Sequence, residues 1–236
     1  MSFKKRKVYA LIPAKKKSSR LKNKNLLKIA NKTLIQISIE SSSNSQFVDK
    51  TFLSSDSDAI LKLGKKFGAY PIKRKSIYSN PKSTCDKVIL DFINNFEKKI
   101  IKQNPYIILL QPTSPLRTNK HINKAFIQLA KSKLINCVSF CKVKNKVLKT
   151  FIVKNKKIKP AFSERVFTAN SEQLPETYIP NGAIYIFTIK EFLKKKKIPQ
   201  NNIYPFIMSS TASVDIDNFD DFLEAKKNFN KCFIDA

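Results

Sequence analysis

The chain has 236 residues, 27.1 kDa and 42% hydrophobic residues, enough for one large domain with an apolar core and too long for a peptide held by cysteines. The formal charge is +29, yet only Arg6, Arg20, Arg74, Arg117 and Arg165 are arginines and the lysines are spread along the whole length, which is a compositional bias and not a nucleic-acid-binding stripe. Cys85, Cys137, Cys141 and Cys232 lack CxxC spacing and His121 stands alone, which argues against zinc; no apolar run approaches the roughly 20 residues of a membrane span, so a soluble, cytoplasmic protein with reduced cysteines is expected. The basic start over 1–7 precedes too short an apolar run for a signal peptide.

In chain order, Val8–Pro13 is an apolar run closed by proline and reads as a buried strand entering a loop over 15–25. A helix follows over 33–40 and a strand over 50–54. Apolar Ile60, Leu61, Leu63 and Phe67 predict a helix over 59–67, with Gly68 at its C-cap. A short strand at 70–72 precedes the stripe Val88, Ile89, Phe92, Ile93 and Phe96, which predicts one helix over 83–97. Residues 106–110 form the next buried strand, 121–129 a helix and 136–141 a strand. Alternating strands and helices with continuous apolar strands predict an α/β fold, an open mostly parallel sheet flanked by helices. Ligands of such sheets sit beyond the carboxyl ends of the strands, here after Pro13, Ser54 and Leu110. Residues 142–180 lose the alternation and carry prolines at 160, 175 and 180, an excursion from a single domain over 1–236. Strands at 183–187 and 213–216 and a helix at 219–229 complete the chain.

Three segments carry the chemistry. The loop over 13–25 places six cations, two hydroxyls and two amides directly after the first strand, a set suited to a polyphosphate although the Walker pattern is absent. In Leu109-Leu110-Gln111-Pro112-Thr113-Ser114-Pro115-Leu116-Arg117 the prolines hold the path while Gln111, Thr113 and Ser114 face a ligand. In Val214-Asp215-Ile216-Asp217, strand alternation puts both carboxylates on one face, a Mg²⁺ site in a chain with few acids. Asp220 and Asp221 read as favourable charges in the first turn of the last helix.

The segments IPAKKKSSRLKNKNL, LSSDSDAILKLGKKFGA, LLQPTSPLRT, QLP, PNGAIYIF and SVDIDNFDDFLEA, in this order over 8–225, resemble the cytidylyltransferases that activate sialic acids and related nine-carbon sugar acids. The resemblance implies a nucleotide-diphospho-sugar-transferase-like fold, with 142–180 as a dimerisation lobe covering the partner's sugar site in a homodimer. It implies transfer of CMP from CTP to a sugar acid with Mg²⁺ as cofactor, and no specific nucleic-acid or membrane partner. Ala14, Lys15, Ser19, Lys24 and Asn25 would then line the CTP pocket, with Lys15 and Lys24 on the triphosphate and Arg74 and Thr84 holding the cytidine. Gln111, Lys149, Asn181 and Tyr185 fall on sugar positions, and Asp215 and Asp217 on the metal ligands. Lys15 stands where the family normally has Arg, so a bidentate clamp becomes a point charge. Lys17 replaces a common glycine, and Ser171 replaces an Arg before QLP. The rivals are a same-fold enzyme for legionaminate or Kdo and a basic RNA-binding protein.

Overall fold

The protein is described by a computed structural model covering residues 6–18, 20–80 and 83–234. The first half builds β1 (Val8–Pro13), the small hairpin β2 (Lys28–Ile29) and β3 (Lys32–Thr33), α1 (Leu34–Ser43), β4 (Lys50–Ser55), α2 (Asp58–Lys66), β5 (Tyr70–Lys73), α3 (Cys85–Ile93), α4 (Lys98–Gln103), β6 (Tyr106–Leu109) and α5 (Asn119–Lys131). The second half adds β7 (Asn136–Val143), the hairpin β8 (Phe151–Lys154) and β9 (Lys157–Pro160), α6 (Glu164–Thr168), β10 (Thr177–Thr188), α7 (Ile189–Lys195), β11 (Ile203–Met208) and α8 (Phe219–Ile234). The main sheet runs β11-β7-β10-β6-β1-β4-β5 and is parallel except for β10, which is antiparallel to both neighbours.

The strands are apolar on both sides because helices cover both faces. Along β1 the side chains alternate: Val8, Ala10 and Ile12 enter the cluster that packs on Ile35, Ile39, Ile122 and Phe126 of α1 and α5, while Tyr9 and Leu11 enter the one formed with Ile89, Phe92 and Phe192 of α3 and α7. A third cluster seats Phe222, Ala225 and Phe229 of α8 against Leu34, Ile37 and Leu116. Gly68 adopts φ +89° and its N–H closes on the Lys65 carbonyl at 3.0 Å, the left-handed stop expected after α2.

Four expectations need correction. The helix expected over 83–97 ends at Ile93, because the Asn95 side-chain amide takes the Asp91 carbonyl at 2.7 Å and competes with the helical ladder; Phe96 still packs on Phe92, with ring centroids 4.8 Å apart. Residues 213–216 form no strand. Val214 and Ile216 are buried in the third cluster, and the Ile216 N–H donates to the Thr113 carbonyl at 2.8 Å without a ladder. The excursion over 142–180 is built of regular pieces, the β8–β9 hairpin and α6, and β10 begins inside it at Thr177, with Pro180 in the strand. Finally, β11 and α7 lie in a stretch to which the sequence pattern assigned no element; Ile203–Met208 pairs with β7 at the sheet edge.

Candidate active site

One wall of a cleft is built where β1, β4 and β5 end side by side. Ala14 is fully buried and its N–H donates to the Ser54 carbonyl at 2.9 Å, so the basic loop starts from the end of β4. Asn25 is also buried, and its amide donates to the Lys15 carbonyl at 2.9 Å, closing the loop upon itself. Arg74, after β5, reaches back to the same serine: Nε donates to Ser54 Oγ at 3.1 Å and Nη2 to its carbonyl at 2.7 Å. Burial lowers the Arg74 pKa, opposed by Asp56, Cys85 and Asp91. Lys15, Lys24, Asn25, Arg74, Thr84 and Gln111 line this cleft together. Ser19 lies outside the described residues.

The facing wall comes from the turn after β6, from β10 and from the segment before α8. Gly182 sits at its centre with φ +76°, a conformation that favours glycine; a Cβ there would stand 3.3 Å from Ser114 Oγ and 3.5 Å from both Asp215 Oδ2 and Gln111 Oε1. Asn181 lies beneath. Its side-chain oxygen accepts from Ser139 Oγ at 2.5 Å and from the Ala183 N–H at 3.2 Å, and its amide donates to Ser213 Oγ at 2.8 Å, so the side chain is spent inside the wall. Ser114, expected to face a ligand, is fully buried with its hydroxyl toward the Asn181 carbonyl at 3.4 Å. The Tyr185 phenol is pushed up to about 12, first by burial and then by Cys85 and Asp215. Lys149 is remote from the cleft lining: its ammonium donates to the Ala169 carbonyl within the 142–180 excursion.

Asp215 borders the cleft, and its carboxyl is raised above the ordinary Asp value. Crowding by surrounding protein is the main cause, although its edge is open to solvent; Asp217 and Asp221 also raise it, while the Thr113 hydroxyl and Lys24 oppose the shift. Asp217 is held by Lys24 at 3.2 Å and Arg20 at 2.9 Å, and Lys24 also donates to the Ile216 carbonyl at 2.5 Å. Asp221 has a structural role in which its carboxylate accepts from the N–H groups of Asp217 at 2.8 Å and Asn218 at 2.9 Å, fixing the entry to α8. Two neighbouring carboxylates suit Mg²⁺, which typically takes one or two carboxylates and completes its shell with substrate phosphates and water. The described residues offer no cluster of three or more His, Cys, Asp or Glu, as a closed all-protein metal cage would need. The Cys85 thiol is raised first by burial and also by Asp215, while Arg74 and Lys15 lower it, so groups of both walls act on one space.

The structure therefore brings Lys15, Lys24, Asn25, Arg74, Thr84 and Gln111 around one cleft, sets Asp215 and Asp217 beside it through Gly182 and Lys24, places Tyr185 in an adjoining cavity that shares Cys85, and leaves Lys149 apart. The sequence reading passed over Ser54, Gly182 and Arg117, which hold the walls. Gly182 carried a signal, being one of three glycines in the chain and directly after Pro180-Asn181. Ser54 and Arg117 carried none, since Ala14 and Arg74 on the one and Ala183 on the other are distant in sequence.

A family model described as cytidylyltransferase matches residues 9–226. The chain is 30% identical over 221 residues to the N-acylneuraminate cytidylyltransferase of Streptococcus agalactiae serotype III (strain NEM316), covering 92% of this chain and 52% of that protein. It is 28% identical over 215 residues to the CMP-N,N'-diacetyllegionaminic acid synthase of Legionella pneumophila (strain Philadelphia 1), covering 89% and 91%. The chain thus spans about half the length of the streptococcal relative. Among solved structures, the CMP:2-keto-3-deoxy-manno-octonic acid synthetase complexed with CTP superposes with a TM-score of 0.71 at 16% identity over 95% of this chain and 99% of that one, a likeness of fold. With the match running from β1 into α8 and taking in both walls of the cleft, the chain belongs to the cytidylyltransferase family.

Proposed function

We propose that the protein transfers CMP from CTP to the anomeric hydroxyl of a nonulosonic, sialic-type acid and releases pyrophosphate. One observation carries this: a cationic loop and a buried arginine line one cleft beyond the strand ends, with Asp217 in ion pairs to Lys24 and Arg20 of that loop and Asp215 beside Gly182 at its edge. The names of the streptococcal and Legionella relatives support an acceptor of the nine-carbon acid class. The acceptor hydroxyl attacks the α-phosphorus in line and gives up its proton to water, while the bond from the α-phosphorus to the bridging oxygen breaks and that oxygen leaves with the pyrophosphate. Lys15 and Lys24, with Ala14, Ser19 and Asn25 shaping their loop, offset the charge that gathers on the departing pyrophosphate. Arg74 and Thr84 hold the cytidine; Gln111 and Tyr185 hold the sugar, Asn181 fixes the turn beneath it, and Lys149, bound to the Ala169 carbonyl away from the cleft, reaches no sugar within its own copy. Asp215 and Asp217 would hold Mg²⁺, which when bound polarises phosphate oxygens. In this reading Lys24 exchanges Asp217 for the triphosphate as the nucleotide enters. Positioning and electrostatics carry the rate. His121 is engaged elsewhere, its Nδ1 accepting the Thr118 N–H at 3.1 Å.

We infer further that two copies assemble through the 142–180 excursion, which exposes Val153 by 70%, Ile158 by 67%, Phe162 by 52% and Phe167 by 50%, an apolar patch unusual for a free surface. A cytoplasmic site of action accords with the free cysteines and with the lack, among the described residues, of a helix able to cross a membrane. The RNA-binding reading loses ground because Arg74 and Arg117 are buried. The test is pyrophosphate release with CTP, Mg²⁺ and a panel of N-acetylneuraminate, legionaminate, pseudaminate and Kdo. Turnover with a nine-carbon acid and not with UTP is expected; equal turnover with UTP would refute the cytidylyl reading, and an active monomer in light scattering would refute the dimer.

A further inference from the structure

Among the described residues, Arg117 is the largest fully withdrawn from solvent, and it lies just behind the acceptor wall. Its Nη1 donates to the Gln111 carbonyl at 3.2 Å and to the Ala183 carbonyl at 3.0 Å. Among the described residues, Nε and Nη2 have no hydrogen-bond partner and no carboxylate offsets the burial that lowers its pKa to about 9. An unpaired buried cation is costly, and an apolar side chain of similar volume would fill the same space at less cost. What the guanidinium does and an apolar side chain cannot do is join two carbonyls. One belongs to Gln111, which lines the cleft; the other follows Gly182, whose turn separates the Gln111 and Asp215 side chains. Arg117 is itself fixed by its own carbonyl, which accepts from Ser41 Oγ of α1 at 2.9 Å.

We propose that Arg117 is a positioning residue for the acceptor wall: it braces the 111–117 turn to the Gly182 turn of β10 and so sets the spacing of Gln111 and Asp215, without acting on the nucleotide wall. Arg117 hydrogen-bonds only within the acceptor wall, at the carbonyls of 111 and 183, whereas Ala14 and Arg74 hang from Ser54 on the nucleotide wall; the two walls meet instead through Lys24 and Arg20 on Asp217, contacts in which Arg117 has no part. Because one nitrogen holds both carbonyls, a lysine ammonium retains the essential donors even though it lacks the planar fork.

The experiment compares wild type, Arg117→Met and Arg117→Lys by hydrogen–deuterium exchange and by kinetics with each substrate varied in turn; the kinetic arm rests on the cytidylyl-transfer reading. In Arg117→Met, exchange is expected to rise at least tenfold over 111–116 and 181–184 and to stay unchanged over 8–16 and 50–56. KM for the sugar acid should rise at least tenfold, with KM for CTP within twofold. Arg117→Lys should recover most of both effects. A uniform rise in exchange over both walls, an equal rise in both KM values, or no change in either readout would overturn the proposal. If Arg117→Met fails to fold, Arg117→Lys decides: a sugar-side shift of a few-fold with unchanged CTP side upholds it, and an equal shift on both sides overturns it. A wild type that uses no sugar acid would refute the cytidylyl reading alone, leaving the exchange pattern to judge the brace.

Discussion

The two walls of the cleft are made in different ways. The nucleotide wall is three neighbouring parallel strand ends, each delivering its own loop, with Ser54 as the shared anchor for Ala14 and Arg74. The acceptor wall is assembled around β10, the reversed strand, from pieces near residues 111, 182 and 215 that meet only in the folded chain. A parallel array positions groups by a repeating rule, whereas the reversed strand needs dedicated joints, and Arg117 and Asn181 are such joints. Rigidity at the second wall is therefore held in a few buried polar side chains.

If the walls act separately, mutations should sort by side. The largest effect is expected at Asp215, which stands beside Gly182 and next to Asp217, the carboxylate that Lys24 and Arg20 hold. Asp215→Asn should lower kcat by about 10² or more, the order seen when one electrostatic stabiliser of a transition state is lost, measured as pyrophosphate release. The ligand-free protein should respond in the opposite sense. The carboxyl pKa is raised in the folded state, so its folding penalty is absent below the ordinary Asp value and appears as pH rises through the folded pKa. Calorimetry should thus find a higher Tm for Asp215→Asn at pH 7 and no gain at pH 3.

On the nucleotide side, Arg74→Met removes charge-assisted hydrogen bonds worth about 1.5–3 kcal/mol and should raise KM for CTP by roughly tenfold or more. Ser54→Ala, which keeps the carbonyl and loses only Oγ, should raise it about fivefold. KM for the sugar acid should stay within twofold in both, and a matching rise there would mean that the walls are one mechanical unit. Gly182→Ala tests the other side: at φ +76° with Ser114 Oγ 3.3 Å from the new methyl, it should cost about 1 kcal/mol or more and raise the acceptor KM several-fold while CTP binding, followed by titration calorimetry, holds.

The smallest effect on catalysis is expected at His121, which serves neither wall. Its pKa is lowered to about 4, chiefly by burial and then by Arg117 and Lys124, so the folded state keeps it neutral. A lowered histidine pKa means that stability is lost as pH falls from about 6.5 toward 4. His121→Gln should flatten the Tm–pH curve in that window and leave kcat at pH 7.5 unchanged.

Much of the nucleotide wall was legible because its signals are local. The apolar run of β1 closed by Pro13, the cations that follow it and the glycine stop at Gly68 each depend on residues a few places apart. The acceptor wall was legible as parts and not as an assembly. Gln111 and the Asp215–Asp217 pair stand out in the chain, but alternation alone suggested a strand at 213–216. The same burial of Val214 and Ile216 was achieved by a connector crossing the strand ends. Asn181 reads as a ligand contact in sequence, and in the fold its amide is consumed by Ser139, Ala183 and Ser213.

By itself, the sequence determined the alternation of buried strands and amphipathic helices and the placing of a cationic loop after the first strand, because hydrophobic period and turn chemistry act over a few residues. Only the tertiary structure decided that β10 runs against its neighbours, that Ser54 carries two separate segments, that Lys24 and Arg20 meet Asp217, and that Arg117 is buried with no carboxylate among the described residues to offset it. Those outcomes depend on which distant polar groups are left facing each other once the apolar surface is buried, and a buried hydrogen bond has no period in the sequence by which to read it.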